Sequence, residues 1–256
     1  MEHILSLSYG KDSIACLGAI QELGWQLDRI IHAEIWATDS IHADLPPMLE
    51  FKEKADKIIK ERYGITVEHV SSGVTYEEYF YRTVQKPRKP RTNLINGFPI
   101  RMGAWCNSKL KVAALNKINK NSIQYIGIAY DEPQRFKVLR DKKISPLVEA
   151  EWTEKMCYDW CKENDLLSPI YQNTTRGGCW FCHNQSVAEM RYLRHNYPEY
   201  WKLLLKWDKD SPTLFTVHHT VEDYDKRFQL EDLGLIFPDD TRFRWKWVEE
   251  YFDKTK

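Results

Sequence analysis

Residues 6–13 read Ser-Leu-Ser-Tyr-Gly-Lys-Asp-Ser, an octapeptide in which hydroxyls, a glycine, a cation and a carboxylate stand close enough to hold an anion. Gly10 lets the backbone approach a phosphate, Ser8 and Ser13 bring hydroxyl donors, and Lys11 brings positive charge. The spacing is not that of a Walker A loop, which requires Gly-x-x-x-x-Gly-Lys-Ser/Thr. A second chemical set is Cys179 and Cys182, a Cys-x-x-Cys pair behind Gly177 and Gly178, whose backbone freedom lets both sulfurs reach one metal. One pair is half a site, because structural zinc and iron–sulfur clusters usually take four protein ligands. Cys157 and Cys161, four apart on a predicted helix, share one face. Either could supply a further ligand, as could His183, although burial as small apolar side chains is the commoner fate of cysteine.

These groups need elements to carry them. His3–Leu7 suits a short buried strand, and Ile14, Leu17, Ile20 and Leu23 recur at helical spacing up to Gly24. The octapeptide therefore sits on a strand–turn–helix junction, with the helix's free amides and positive dipole end aimed at the turn. Residues 29–37 predict a second strand, 46–63 a long helix begun by proline and ended before Gly64, 65–70 a third strand and 124–128 a later one. This alternation predicts an α/β fold with a mostly parallel, doubly wound sheet, whose ligands gather at the carboxyl ends of the strands. From residue 151 onward the pattern turns helical and aromatic, over 153–163, 187–196 and 199–207. The expected division is an α/β domain at 1–150 that carries the phosphate turn and a mainly helical region at 151–256. The amphipathic segment 241–252 closes that region or meets a partner.

Lys plus Arg and Asp plus Glu both total 37, so net charge gives no sign of a nucleic-acid partner. The stretch 86–101 does so locally: it holds five cations and no acid, which suits a substrate phosphate or a nucleic-acid backbone. No run approaches the roughly 18 apolar residues of a membrane span, and the N-terminus lacks the plan of a signal peptide. The expected setting is cytoplasmic, with no membrane partner. Six cysteines in such a setting argue for metal binding, redox chemistry or burial rather than a disulfide framework.

Several stretches together resemble the PP-loop ATP pyrophosphatase superfamily, which includes phosphoadenosine-phosphosulfate reductases, ATP sulfurylase and tRNA thiolation enzymes. The octapeptide is similar to its Ser-Gly-Gly-x-Asp-Ser loop, with Tyr9 in place of the first glycine. Residues 101–111, Arg-Met-Gly-Ala-Trp-Cys-Asn-Ser-Lys-Leu-Lys, resemble its Cys-Thr-x-x-Leu-Lys segment; Cys106 and Lys111 fall on the polar anchors, and Asn107 replaces Thr. Residues 125–135, Tyr-Ile-Gly-Ile-Ala-Tyr-Asp-Glu-Pro-Gln-Arg, resemble its Gly-x-x-x-Asp-Glu-x-x-Arg segment at a strand end. Residues 145–152 resemble its Pro-Leu-x-x-Trp connector, one residue looser.

The resemblance implies an adenine nucleotide alpha hydrolase-like fold, ATP and Mg2+ as cofactors, and cleavage between the α- and β-phosphates. It implies nucleotide contacts at Ser8, Tyr9, Gly10, Lys11, Asp12, Ser13, Asp39, Gly127 and Glu132. Catalytic roles fall to Lys11, Asp12, Lys111, Asp131 and Arg135, with Asp131 and Glu132 holding magnesium, and Arg135 and Lys111 holding anionic groups. It also implies that Cys106 joins Cys179 and Cys182 at a metal centre, either a 4Fe-4S iron–sulfur cluster or Zn2+, with Cys161 a candidate fourth ligand.

The function so implied is an ATP-dependent adenylating enzyme of sulfurtransferase type, with a nucleic acid as candidate acceptor and a sulfur-donor protein as candidate partner. A phosphoadenosine-phosphosulfate reductase is the nearest alternative. Those enzymes use a C-terminal Glu-Cys-Gly-Leu-His motif, and this chain has no cysteine after Cys182. The third alternative is a degenerate nucleotide-binding scaffold with structural zinc, for which the bulk of Tyr9 in the phosphate turn is the argument.

Overall fold

A computed structural model describes residues 1–84, 94–99, 104–118, 121–137, 139, 142–172 and 178–254. The chain divides into two compact units, residues 1–76 with 106–179, and residues 77–105 with 180–256.

The first unit is built on β1 (Glu2–Ser6), β2 (Arg29–Glu34), β3 (Val67–Ser71), β4 (Ser122–Tyr125) and β5 (Lys143–Ile144), which form one all-parallel sheet in the order β3-β2-β1-β4-β5. Ile4 pairs with Arg29 on one side and with Gln124 on the other. From β1 the chain proceeds first to one side of the sheet and then to the other, so the strand order reverses between β1 and β4. The crevice beyond the carboxyl ends of strands at such a reversal is where open α/β sheets hold ligands. β2 stops at Glu34, short of the predicted 37, because the chain bends back through an isolated bridge between Trp36 and His42. The two-residue β5 has no counterpart among the predicted strands.

α1 (Lys11–Glu22) follows β1 after four residues and is buried continuously from Ser13 to Ile20. Burial of Ile14, Leu17 and Ile20 contributes about 1.5–3 kcal/mol each. Gly24 lies just past the helix with φ +64°, a left-handed stop. α2 (Pro46–Tyr63) begins with two prolines and ends at Gly64 with φ +71°, as its sequence predicts.

After α3 (Tyr76–Phe80), a helical stretch over 105–116 contains a π-helical turn, Asn107–Val112, before α4 (Ala113–Asn116). Leu110 and Ala114 form its buried face. π turns are rare and are often found at functional sites. α5 (Pro133–Phe136) and α6 (Pro146–Glu149) flank β5, and α7 (Glu154–Glu163) packs on α1. Gly18 admits the contact: a Cβ there would lie 2.6 Å from the Trp160 ring and 2.8 Å from that of Trp152. Cys16, Cys157, Cys161 and Leu166 share the core with α1 and α2. For this reason the compact units do not divide at 150/151, and α7 belongs with the sheet.

The second unit is helical, with α8 (Val187–Asn196), α9 (Pro198–Asp210), α10 (Val221–Asp232) and α11 (Trp245–Lys254). Capping boxes at Ser186/Glu189 and Thr220/Asp223 start α8 and α10. Trp207 stacks on Trp180 with centroids 5.6 Å apart and lies near Phe80. No helix among the described residues is long and apolar enough to cross a membrane.

Candidate functional site

The octapeptide leaves the carboxyl end of β1 and enters α1, as predicted. Its hydroxyls are used inside the turn rather than displayed. Ser13 Oγ accepts from Ser8 N at 3.1 Å and from Ser8 Oγ at 2.9 Å, and donates to Gly10 O at 3.0 Å. The amide of Lys11 donates to the Tyr171 hydroxyl at 2.9 Å. Among the described residues, no group accepts from the amides of Gly10, Asp12 or Ser13. Those amides, at the start of a helix, form a cradle for an anion.

The left-handed position of the turn does not fall on its glycine. Gly10 is extended, with φ −76° and ψ 154°, and a Cβ there would meet Ser8 Oγ and the Tyr171 hydroxyl at an ordinary 3.5 Å. The left-handed residue is Tyr9, with φ +57°, a conformation that costs a non-glycine residue about 1–2 kcal/mol. Its side chain turns into the core, completely buried, and donates its hydroxyl to Asp56 Oδ1 at 2.5 Å. His69 Nε2 lies 3.1 Å from the same hydroxyl and 2.8 Å from Asp56 Oδ2, and His69 Nδ1 lies 2.8 Å from Glu34. Burial, and then Asp56, push the phenol pKa far up, so it stays a donor. The bulk of Tyr9 is thus packed into the core toward Asp56 and His32.

A second polar chain, this one buried, fixes the residue before Ser8. His32 Nδ1 lies 2.9 Å from Leu7 O, and its Nε2 lies 2.8 Å from the ammonium of Lys52, which is ion-paired with Asp44. Burial, then the Lys52 charge, hold the His32 pKa well below its usual value. The neutral ring therefore donates from Nδ1 to Leu7 and accepts from Lys52 at Nε2.

Beside the turn, Asp12, Glu132 and Glu154 each offer a carboxylate oxygen within 4.8 Å of the others. Lys11 Nζ reaches into this group, at 2.8 Å from Asp12 and 3.0 Å from Glu154. Burial opposes the Lys11 charge, but these hydrogen bonds outweigh it and its pKa rises. Burial raises the pKa of Asp12, Lys11 opposes that rise, and the nearby Glu154 and Glu132 add to it. Three carboxylates form a hard oxygen set of the kind that holds Mg2+ together with phosphate oxygens.

Glu154 does not stand out in the sequence. It lies far from the loop along the chain, and an acid in the first turn of α7 reads as a complement to the helix dipole. Asp131, expected to hold the metal, accepts from the Glu154 amide at 2.9 Å through Oδ1 and is not one of the three carboxylates grouped beside the turn. Arg135 donates to both Glu132 oxygens at 2.7 Å and is otherwise largely exposed.

Gly127, just past β4, approaches the start of α1 so closely that a Cβ would fall 2.6 Å from Ser13 N and 2.7 Å from Asp12 C. Lys111 is half-buried in the π turn and has no hydrogen-bonded or ionic partner among the described residues; its charge helps keep His32 neutral. Asp39 is exposed in the bend after β2. Neither is tied by a contact to the carboxylate group.

Cys161, the candidate fourth ligand, lies in the core against the start of α1. It is fully buried, its thiol donates to Lys11 O at 3.3 Å, and burial, followed by the neighbouring Cys157, pushes its pKa up. Cys157 is pushed up to about 12, mainly by burial. Cys106, Cys179 and Cys182 are half-buried and form no disulfide. The basic stretch 86–101 lies outside the described residues apart from 94–99, so Arg101 and the other cations of the run lie outside them as well. Comparison with protein-family models and with curated proteins finds no match for this chain.

Proposed function

We propose that the protein is an ATP-dependent adenylating enzyme of the PP-loop type, acting through a doubly wound, adenine nucleotide alpha hydrolase-like sheet. The observation that carries this reading is the amide cradle of Gly10, Asp12 and Ser13 beside Lys11, at the carboxyl end of β1 where the strand order reverses. In this reading the pyrophosphate portion of ATP occupies the cradle, and Lys11 moves from Asp12 and Glu154 toward the phosphate. Asp12, Glu132 and Glu154 would hold Mg2+, which supplies charge neutralisation on the phosphates. The chain's part is otherwise positioning: a pre-formed set of donors meets charge that grows on the leaving pyrophosphate.

The sulfurtransferase character rests on the sequence alone, through Cys106, Cys179 and Cys182 as ligands of an iron–sulfur cluster or zinc. A nucleic acid as acceptor and a sulfur-donor protein as partner belong to the same proposal. The reading is tested by incubating the protein with ATP and Mg2+ and following AMP and pyrophosphate, with and without candidate acceptors. Lys11→Ala and Asp12→Ala are expected to lose nucleotide binding and turnover; retention of full activity by both would sink the proposal. Sulfite release from phosphoadenosine phosphosulfate would favour the reductase alternative.

A further inference from the structure

We propose that Tyr9 is a positioning residue for the phosphate turn, whose anchored hydroxyl fixes the left-handed backbone that aims the neighbouring amides at the anion. The inference rests on the pyrophosphate reading of that turn. A tyrosine has no intrinsic reason to adopt φ +57°, a region that side chains with a Cβ avoid. Here the ring is completely buried and its hydroxyl is held by Asp56 of α2 and His69 of β3, with Glu34 of β2 behind the imidazole. On the other side of Ser8, the Leu7 carbonyl is held by His32 of β2, backed by Lys52 of α2 and by Asp44.

Ser8 is thus bracketed by two polar chains, a buried one through His32 and Lys52 and a partly exposed one through Asp56, His69 and Glu34. None of their groups belongs to the cradle itself. Glycine would reach the same backbone angle freely but would not be held there, and the freedom removed by the anchor is freedom a ligand would otherwise have to remove on binding. The surrounding structure over-determines an unfavourable residue next to a binding turn, as expected where strain serves positioning.

The test compares Tyr9→Phe, Tyr9→Gly, Asp56→Ala and Asp56→Asn, each well below its own melting temperature. The readouts are the Kd for inorganic pyrophosphate with Mg2+ by calorimetry and amide hydrogen exchange over residues 7–15. Tyr9→Phe keeps the ring but loses the anchor, so pyrophosphate should bind about ten-fold more weakly and the turn amides should exchange faster. Asp56→Ala should match it, and the Tyr9→Phe/Asp56→Ala pair should be no worse than either alone. Asp56→Asn keeps an acceptor and should retain most of the affinity, whereas Tyr9→Gly should exchange fastest. Wild-type affinity and exchange in Tyr9→Phe would overturn the inference while leaving the pyrophosphate reading intact, and so would losses that follow melting temperature alone. A wild-type protein that does not bind pyrophosphate would overturn that reading instead, and the exchange data would still decide whether Tyr9 fixes the turn.

Discussion

Gly127 stands directly against Ser13: a Cβ at position 127 would fall 2.6 Å from both the amide nitrogen and the Cα of Ser13. The clash would be with backbone, which cannot swing aside as a side chain can. The end of β4 and the start of α1 are therefore in contact at the turn that carries the cradle. Gly127→Ala should destabilise the protein by about 1–3 kcal/mol. Because the displaced atoms belong to the cradle, nucleotide affinity should fall in the fraction that remains folded; titration of ATP against the variant, alongside its urea midpoint, checks both.

Gly18→Ala offers the contrasting case. The added methyl would meet the Trp160 and Trp152 rings at 2.6–2.8 Å, between α1 and α7 and away from the cradle. A loss of about 1–3 kcal/mol in urea unfolding is expected, with ATP affinity unchanged in the folded protein.

The buried His32 makes stability depend on pH in a fixed direction. Its native pKa lies well below the ordinary 6.5, because burial and then Lys52 disfavour the imidazolium. As pH falls through 6.5 the unfolded chain takes up a proton on His32 and the native chain does not, so acid favours unfolding. The contribution is complete above that pH and declines below it by about 1.4 kcal/mol per pH unit for one proton, until the native pKa is reached. His32→Asn keeps an N–H for Leu7 without titrating, and its stability should fall less steeply between pH 6.5 and 5 when measured by urea denaturation.

Glu154→Gln removes one charge from the carboxylate group but leaves the backbone amide that Asp131 accepts from. The Mg2+ concentration needed for half-maximal ATP binding should rise about ten-fold, the loss of a single charged ligand interaction. Unchanged Mg2+ dependence would remove Glu154 from the proposed metal set.

Metal analysis separates the cysteines. Cys161→Ala should leave iron, acid-labile sulfide and zinc contents unchanged, since its thiol is buried against the Lys11 carbonyl. Cys106→Ala, purified anaerobically, should lower whichever metal the wild type carries. Equal losses in the two variants would return Cys161 to the ligand set.

The elements that bear the cradle were legible because each has a local signal. The apolar run before Ser8, the helical recurrence from Ile14 and the proline-to-glycine bounds of α2 all reflect backbone preferences of a few adjacent residues. What stayed hidden depends on tertiary approach. Glu154 meets Asp12 only because α7 packs on α1, and nothing near position 154 announces that neighbour. Tyr9 stood out as a departure from glycine, but the sign of its φ and the direction of its ring follow from Asp56 and His69, about 47 and 60 residues further along the chain. β5 is too short for any alternation to appear, and α10 is announced by little more than the capping box at Thr220.

The π turn over Asn107–Val112 sets the rotational phase of the helix that contains it. It winds one more residue into a turn than an α-helix does, so Cys106 sits out of the phase it would otherwise have with Leu110 and Ala114 on the buried face. Winding these residues as a plain α-helix with none removed would rotate Cys106 by about 100° about the helix axis relative to that face, whereas deleting one residue between 107 and 109 would restore α winding with Cys106 in nearly its present phase. A substitution in this turn changes a side chain; a one-residue deletion would remove the wide turn itself and leave the side on which Cys106 stands.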